Sequence, residues 1–289
     1  MKKTLFFLQT VLLGINLISN PIFLDEKPMK HIDFSKNLET EKKVYVIPKK
    51  PESHKKEIST SIVFPRAFES KKRNPVHVQL SVSEFLIGCK TEKPNVFNLH
   101  ENPNGQAIRI IVDNNPYMTY SYSFDDDDIP HNNFRLASFS LPQQISSGPH
   151  SIRCFPVYSF GESVKSSEAF SNTVFFLKEN SKLGAINIDL EKPYLTYNEP
   201  QGRYPYINNQ PILLDFLLSN CDLSKKGYKV LLTINDKDVS YLTSYCPYLI
   251  YGLDIGTHQL RLRLLDENNE VVAGVYNDVE HSFVIEKGN

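Results

Sequence analysis

Asp125-Asp126-Asp127-Asp128 is the densest run of potentially reactive side chains in the sequence, and the aromatic residues Tyr120, Tyr122 and Phe124 lead into it. Carboxylates on a loop suit Ca²⁺, which takes about six to eight oxygen ligands. Adjacent residues of an extended loop point different ways, however, and no Asp-x-Asp-x-Asp-Gly spacing occurs here. A solvated acidic tip fits better, so no metal and no cofactor is assigned. Aromatic residues alternating on one strand face can stack on sugar rings or anchor a protein partner. The same alternation also serves a core or cross-strand pairs. Residues 120, 122 and 124–128 are thus a candidate binding surface.

Other reactive residues lack a constellation. Ser53-His54-Lys55-Lys56 matches a Ser-x-x-Lys nucleophile pattern but lies in a basic run with no fold to hold it. Gly161-Glu162-Ser163-Val164-Lys165 lacks the second glycine of a nucleophile elbow. No phosphate-binding loop and no His-Glu-x-x-His occurs. Four cysteines, Cys89, Cys154, Cys221 and Cys246, could form one bridge in each half of the chain, or could be buried small apolar groups. They lack the Cys-x-x-Cys element of a structural zinc site. Catalysis has nothing to stand on, and the expectation is a non-enzymatic protein.

The elements that would position these residues are strands. In Tyr228–Ile234, Tyr228, Val230, Leu232 and Ile234 share one face by period-two alternation. In His258–Leu264, Leu260, Leu262 and Leu264 oppose Arg261 and Arg263, as an antiparallel sheet with one wet face allows. Turn clusters such as Asn235-Asp236-Lys237-Asp238 separate the runs. Apart from the apolar start no helix-period segment stands out, so the fold class is all-β.

The pattern occurs twice. Ile108–Asn114 parallels Val230–Asp236, Gly148–Arg153 parallels Gly256–Arg261, and Phe170–Leu177 parallels Val279–Ile285 as a last strand. Val76–Val82 pairs with Ile186–Leu190 as a first strand. Each copy then has about seven strands, the immunoglobulin-like number. The first copy has them near 76–84, 95–99, 107–112, 117–123, 134–141, 150–157 and 170–177. His150 and His258 take equivalent places after a Gly-led turn, which suggests a shared structural bond to a neighbouring loop carbonyl. Tyr194, Tyr197, Tyr204 and Tyr206 in the connector could pack between the copies.

These motifs carry a resemblance. Lys229-Val230, Thr233-Ile234-Asn235, Pro247-Tyr248, Gly252-Leu253, Gly256-Thr257-His258 and Val275-Tyr276-Asn277 resemble the Ig-like or fibronectin-III-like modules of exported bacterial proteins. A sister module is similar through Val112-Asp113-Asn114-x-Pro116-Tyr117, Ile152-Arg153-Cys154-Phe155-Pro156 and Glu162-Ser163-Val164-Lys165. The resemblance covers about residues 76–286 and implies two tandem immunoglobulin-like β-sandwiches; it implies no activity.

Met1-Lys2-Lys3 followed by an apolar run to about Ser19 fits a signal peptide, or a signal anchor if uncleaved. Residues 21–75, with paired lysines and prolines, read as a disordered basic linker. Within it Val44–Ile47 and Ile62–Phe64 could each add a strand to a sheet edge. The expected layout is therefore 1–20 signal segment, 21–75 linker, 76–180 first sandwich and 181–289 second sandwich. A net charge of −1 gives no electrostatic case for nucleic acid. The expected role is an exported, periplasmic, cell-surface or extracellular protein that binds an envelope protein or glycan. The alternative is a carbohydrate-active or hydrolytic protein with a site between the modules.

Overall fold

The computed structural model describes residues 43–289 except 55, 122–133, 142–143, 179–187 and 289. Among the described residues every regular element is a strand, apart from one 3-10 turn at Ser167–Ala169. The first module packs a sheet of β2 (Ser59–Phe64), β4 (His77–Ser83) and β7 (Phe134–Ser140) against a sheet of β3 (Ser70–Lys71), β9 (Ser171–Leu177), β8 (Gly148–Val157), β5 (Ala107–Val112) and β6 (Met118–Tyr120), in that order. The second repeats the order. One sheet holds β10 (Tyr194–Glu199), β12 (Ile212–Ser219) and β15 (Tyr248–Tyr251). The other holds β11 (Gly202–Tyr206), β17 (Asp278–Lys287), β16 (Gly256–Leu265), β13 (Lys229–Ile234) and β14 (Lys237–Leu242). In each module a short strand joins the last one in parallel, β3 on β9 and β11 on β17, while the remaining pairings are antiparallel. The chain is all-β and holds two tandem sandwiches of the Ig-like and fibronectin-III-like kind.

Alternation builds both cores. Val78, Leu80 and Val82 meet Ile108, Ile110, Val112, Ile152, Cys154 and Phe175 inside the first. Leu214 and Phe216 meet Val230, Leu232, Leu260, Leu262, Leu264 and Phe283 inside the second. Burying such side chains contributes about 1.5–3 kcal/mol each before entropy is counted.

Three expectations need correction. The stretch read as a disordered linker supplies β2 and β3 to the first module and β1 (Tyr45–Pro48) to the second. Its two short apolar runs do add strands, Val44–Ile47 at β1 and Ile62–Phe64 within β2; Ile58 and Thr60 are buried, and Lys49 and Lys71 are satisfied by Glu162 and Glu69. Residues 1–42, with the signal segment, lie outside the described residues. Secondly, the strand at His77–Ser83 corresponds to β12, not to Ile186–Leu190, because each module opens with a strand that switches sheets, β2 to β3 and β10 to β11. Thirdly, the expected strand at 95–99 is a turn in which the Asn95 side chain bonds the Leu99 N–H and C=O at 2.8 and 2.7 Å. Of the two readings left open for the cysteines, the unbridged one is found: all four are free. Cys154 lies in the first core opposite Ile110, at the place of Leu262 in the second, and burial pushes its thiol pKa upward.

The equivalent histidines do the same work. His150 Nε2 reaches the Ser146 carbonyl at 3.0 Å, and His258 Nε2 reaches that of Asp254 at 2.8 Å. Each Nδ1 meets the residue closing the preceding turn, Asp113 at 2.8 Å or Asn235 at 3.0 Å. That residue also accepts from the backbone N–H of Ser151 or Gln259. Asp113→Asn therefore recreates the second module's arrangement and is expected to leave stability nearly unchanged. Asp113→Ala removes the Nδ1 partner of the buried His150 ring and the acceptor of the Ser151 N–H, and is expected to cost about 1–3 kcal/mol in urea unfolding.

Candidate functional site: a cleft between the modules

The two modules meet face to face. β5 and β8 of the first, and β10 and β12 of the second, are buried on both sides. Ala107, Ile111, Phe155 and Val157 pack there on Leu217. Polar side chains fill the remainder. Arg153 donates to the Leu195 carbonyl and Thr196 Oγ1 at 3.2 and 3.1 Å and stacks 4.0 Å from the Tyr276 ring; burial lowers its pKa to about 10, which leaves it charged at neutral pH. Asp215 accepts from Ser163 Oγ at 2.6 Å and Asn198 Nδ2 at 2.8 Å, and pairs with Lys165 at 2.7 Å. Ser163, the one hydroxyl in the elbow-like motif, is thus committed to cross-module bonds.

Glu199 is the centre of one end of this interface. A register shift between Tyr197 and Glu199 in β10 lets two consecutive side chains, Asn198 and Glu199, both reach the first module, as a bulge permits. Arg109 Nη2 donates to Glu199 at 2.8 Å, Tyr117 Oη at 3.0 Å and the Gln201 N–H at 3.1 Å, and Tyr204 Oη donates as well. The Arg109 guanidinium lies 3.5 Å from the Tyr117 ring centre. Burial raises the pKa of Glu199, against the pull of Arg109 and the hydroxyls. Burial also raises both tyrosine pKa values, so these phenols stay protonated and donate. Gly161 sits over the carboxylate with positive φ, and a Cβ there would fall 3.0 Å from Glu199 Oε1.

Above this floor lies a cleft of about 530 Å³. One wall is the loop His100–Asn104 of the first module with Phe160. The opposite wall is Arg203, Tyr206, Ile207, Asn209 and Gln210 of the second, and Lys43, Tyr45 and Tyr251 close the mouth. The His100 ring meets Tyr204 edge-on at 5.8 Å, and the Tyr45 and Tyr251 rings stack at 5.2 Å. Amide, hydroxyl and aromatic groups converge, and among the described residues the one lining carboxylate, Glu199, is already held by four donors. The volume falls within the range of about 300–1,000 Å³ usual for ligand sites.

Of the binding residues singled out from sequence, the described one, Tyr120, does not line the cleft. Tyr120 packs against the first core and stacks on Phe139 at 5.5 Å, which is the core and cross-strand alternative. Tyr122, Phe124 and Asp125–Asp128 lie outside the described residues. Of the connector tyrosines, Tyr204 and Tyr206 line the cleft and Tyr194 touches Phe170 and Tyr276, while Tyr197 lies in the second core. Sequence reading missed Arg109 and Glu199. Arg109 breaks the apolar run Ile108–Val112, a signal that the outer face of that strand meets something polar. Among the described residues no group of three or more His, Cys, Asp or Glu could hold a metal ion, and no helix is long and apolar enough to cross a membrane.

No family model and no curated protein matches the sequence. Solved structures similar to it include the fibronectin(III)-like modules of Clostridium thermocellum CbhA, at 11% identity over 79% of this chain and 94% of that one, with a TM-score of 0.27. The central fibronectin-III array of RIM-binding protein is similar at 12% identity over 78% and 69%, TM-score 0.22. The SGBP-B protein of the Bacteroides ovatus mixed-linkage glucan utilization locus, solved with a mixed-linkage heptasaccharide, is similar at 12% over 84% and 47%, TM-score 0.18. The assignment of two sandwiches rests on the sheet order itself.

Glu199→Ala leaves the Arg109 cation buried without its partner and is expected to cost about 3–5 kcal/mol in urea unfolding. The double change Arg109→Met, Glu199→Leu is expected to recover most of that loss.

Proposed function

We propose that the protein is an exported, non-enzymatic binding protein whose ligand, a glycan segment of the cell envelope, lies in the cleft between the two modules. One observation carries the reading: the cleft joins tyrosine and histidine rings to planar amides from both modules, over a floor whose described carboxylate, Glu199, is already engaged. Tyrosine rings supply rigid area with a polar edge, and amides supply paired donors and acceptors for vicinal hydroxyls. The buried ion network and the apolar patch between the modules keep the walls in register before a ligand arrives, which lowers the ordering cost of binding. Export is supported by the pattern of the first twenty or so residues.

Calorimetric titration with gluco-, chito- and galacturono-tetraoses tests this. At least one is expected to bind, and Gln210→Ala, which removes a cleft-lining amide whose Oε1 has no partner in the fold, or Tyr206→Ala is expected to weaken it about tenfold, roughly 1.4 kcal/mol, with cooperative unfolding retained. Failure of all three, or binding indifferent to both substitutions, would sink the reading.

A further inference from the structure

The segment Lys43–Pro48 takes an unexpected path. The chain that follows it enters the first module as β2, yet β1 itself pairs antiparallel with β15 of the second, Tyr45 opposite Tyr251 and Ile47 opposite Leu249. Alternation divides its side chains. Val44 and Val46 pack toward the second core, while Lys43 and Tyr45 face the cleft. Immediately after the strand, Lys49 is pinned: its N–H bonds the Pro247 carbonyl at 2.8 Å, and its ammonium reaches Glu162 of the first module at 2.6 Å. The strap therefore crosses from one module to the other at the cleft mouth.

Gly252 shows that this placement is built in. Its φ is +87°, and a Cβ on it would lie 2.7 Å from the Lys43 carbonyl oxygen and 3.3 Å from the Val44 Cα. Only glycine gives the strap room beside the cleft. The docking itself is slight. β1 has four residues, three of them exposed, and is bonded to a neighbour along one edge only. Few buried contacts and a single row of ladder bonds place a segment at the low end of local stability.

We propose that β1 is a mobile wall of the ligand site, so that ligand binding and docking of this strand are coupled. The inference rests on the cleft being the glycan site. A saccharide lying against Tyr45 and Lys43 binds only the docked arrangement, and by linkage it must hold the strand down by the same factor that undocking weakens the ligand. Tyr45 and Lys43 become specificity-determining residues, although they belong to a segment sequentially remote from both cleft walls.

The test uses the full chain and whichever tetraose of the gluco-, chito- and galacturono- panel binds most tightly. Val46→Asp places a charge toward the second core without altering a cleft-lining residue, and should undock β1. It is expected to weaken the tetraose tenfold or more while the two modules keep their cooperative unfolding. Tyr45→Ala is expected to do the same through the cleft face. In the unmodified chain, saturating tetraose is expected to slow amide exchange of residues 44–47 about tenfold, a change that a purely structural edge strand would not show. A tetraose that binds Val46→Asp and Tyr45→Ala as well as the unmodified chain, with exchange at 44–47 unaltered, overturns the coupling and leaves the glycan reading intact. No binding of any tetraose to the unmodified chain removes the reading and the coupling together.

Discussion

The structure depends on covering two outer sheet faces with each other. In an isolated sandwich those faces would meet water, and Arg109, Arg153, Asn198, Glu199 and Asp215 would be ordinary solvated side chains. Here they are buried, and a buried charge is tolerable only with a partner and with its remaining hydrogen-bonding groups engaged. Arg109 on Glu199, Lys165 on Asp215 and Lys49 on Glu162 supply the partner across module or strap boundaries, while the Arg109 Nε stays buried without an acceptor. The pairing is geometrically demanding, because displacement of one module by an ångström or two would strand several charges at once. An interface of this kind specifies one relative placement of two sandwiches more sharply than an apolar patch would.

That placement creates the cleft. Arg109 and Tyr117 come from one module, Glu199 and Tyr204 from the other, and their bonds form the floor. The walls are the His100–Asn104 loop of the first module and, in the second, β11 with the loop that follows it. The register shift in β10 is the local device that makes it possible, since regular alternation would turn either Asn198 or Glu199 away from the first module. The site is thus a product of tandem arrangement rather than of either sandwich, consistent with the view that function is grafted onto folds.

The duplication is exact in sheet order but not in use. The Asp113–His150 and Asn235–His258 pairs keep one hydrogen-bond pattern with different partners, and β3 and β11 make the same parallel joint. By contrast, the first module's β2-β4-β7 sheet has three strands while its counterpart carries β1 as a fourth. Residues ahead of the first module complete the second, so the chain is tied at both ends of the interface and not only through the connector.

Period-two alternation was enough to determine the all-β class, the two copies and most strands from β4 onward, because one face of each strand must be apolar to form a core. The turn histidines were legible for the same reason: a local bond pattern repeats with the local sequence. The folded state of the linker and the site were not, although Val44–Ile47 and Ile62–Phe64 were legible as edge strands and are β1 and β2. Lys49 after the first of them is neutralised by Glu162, more than a hundred positions away, which no local reading of a lysine-rich stretch shows. Arg109 and Glu199 did not stand out because a sequence shows which face of a strand is polar, but not what that face meets. Only packing of one module on the other decided that those faces are interior, and with that decided which polar groups line a cleft and which merely hold it open.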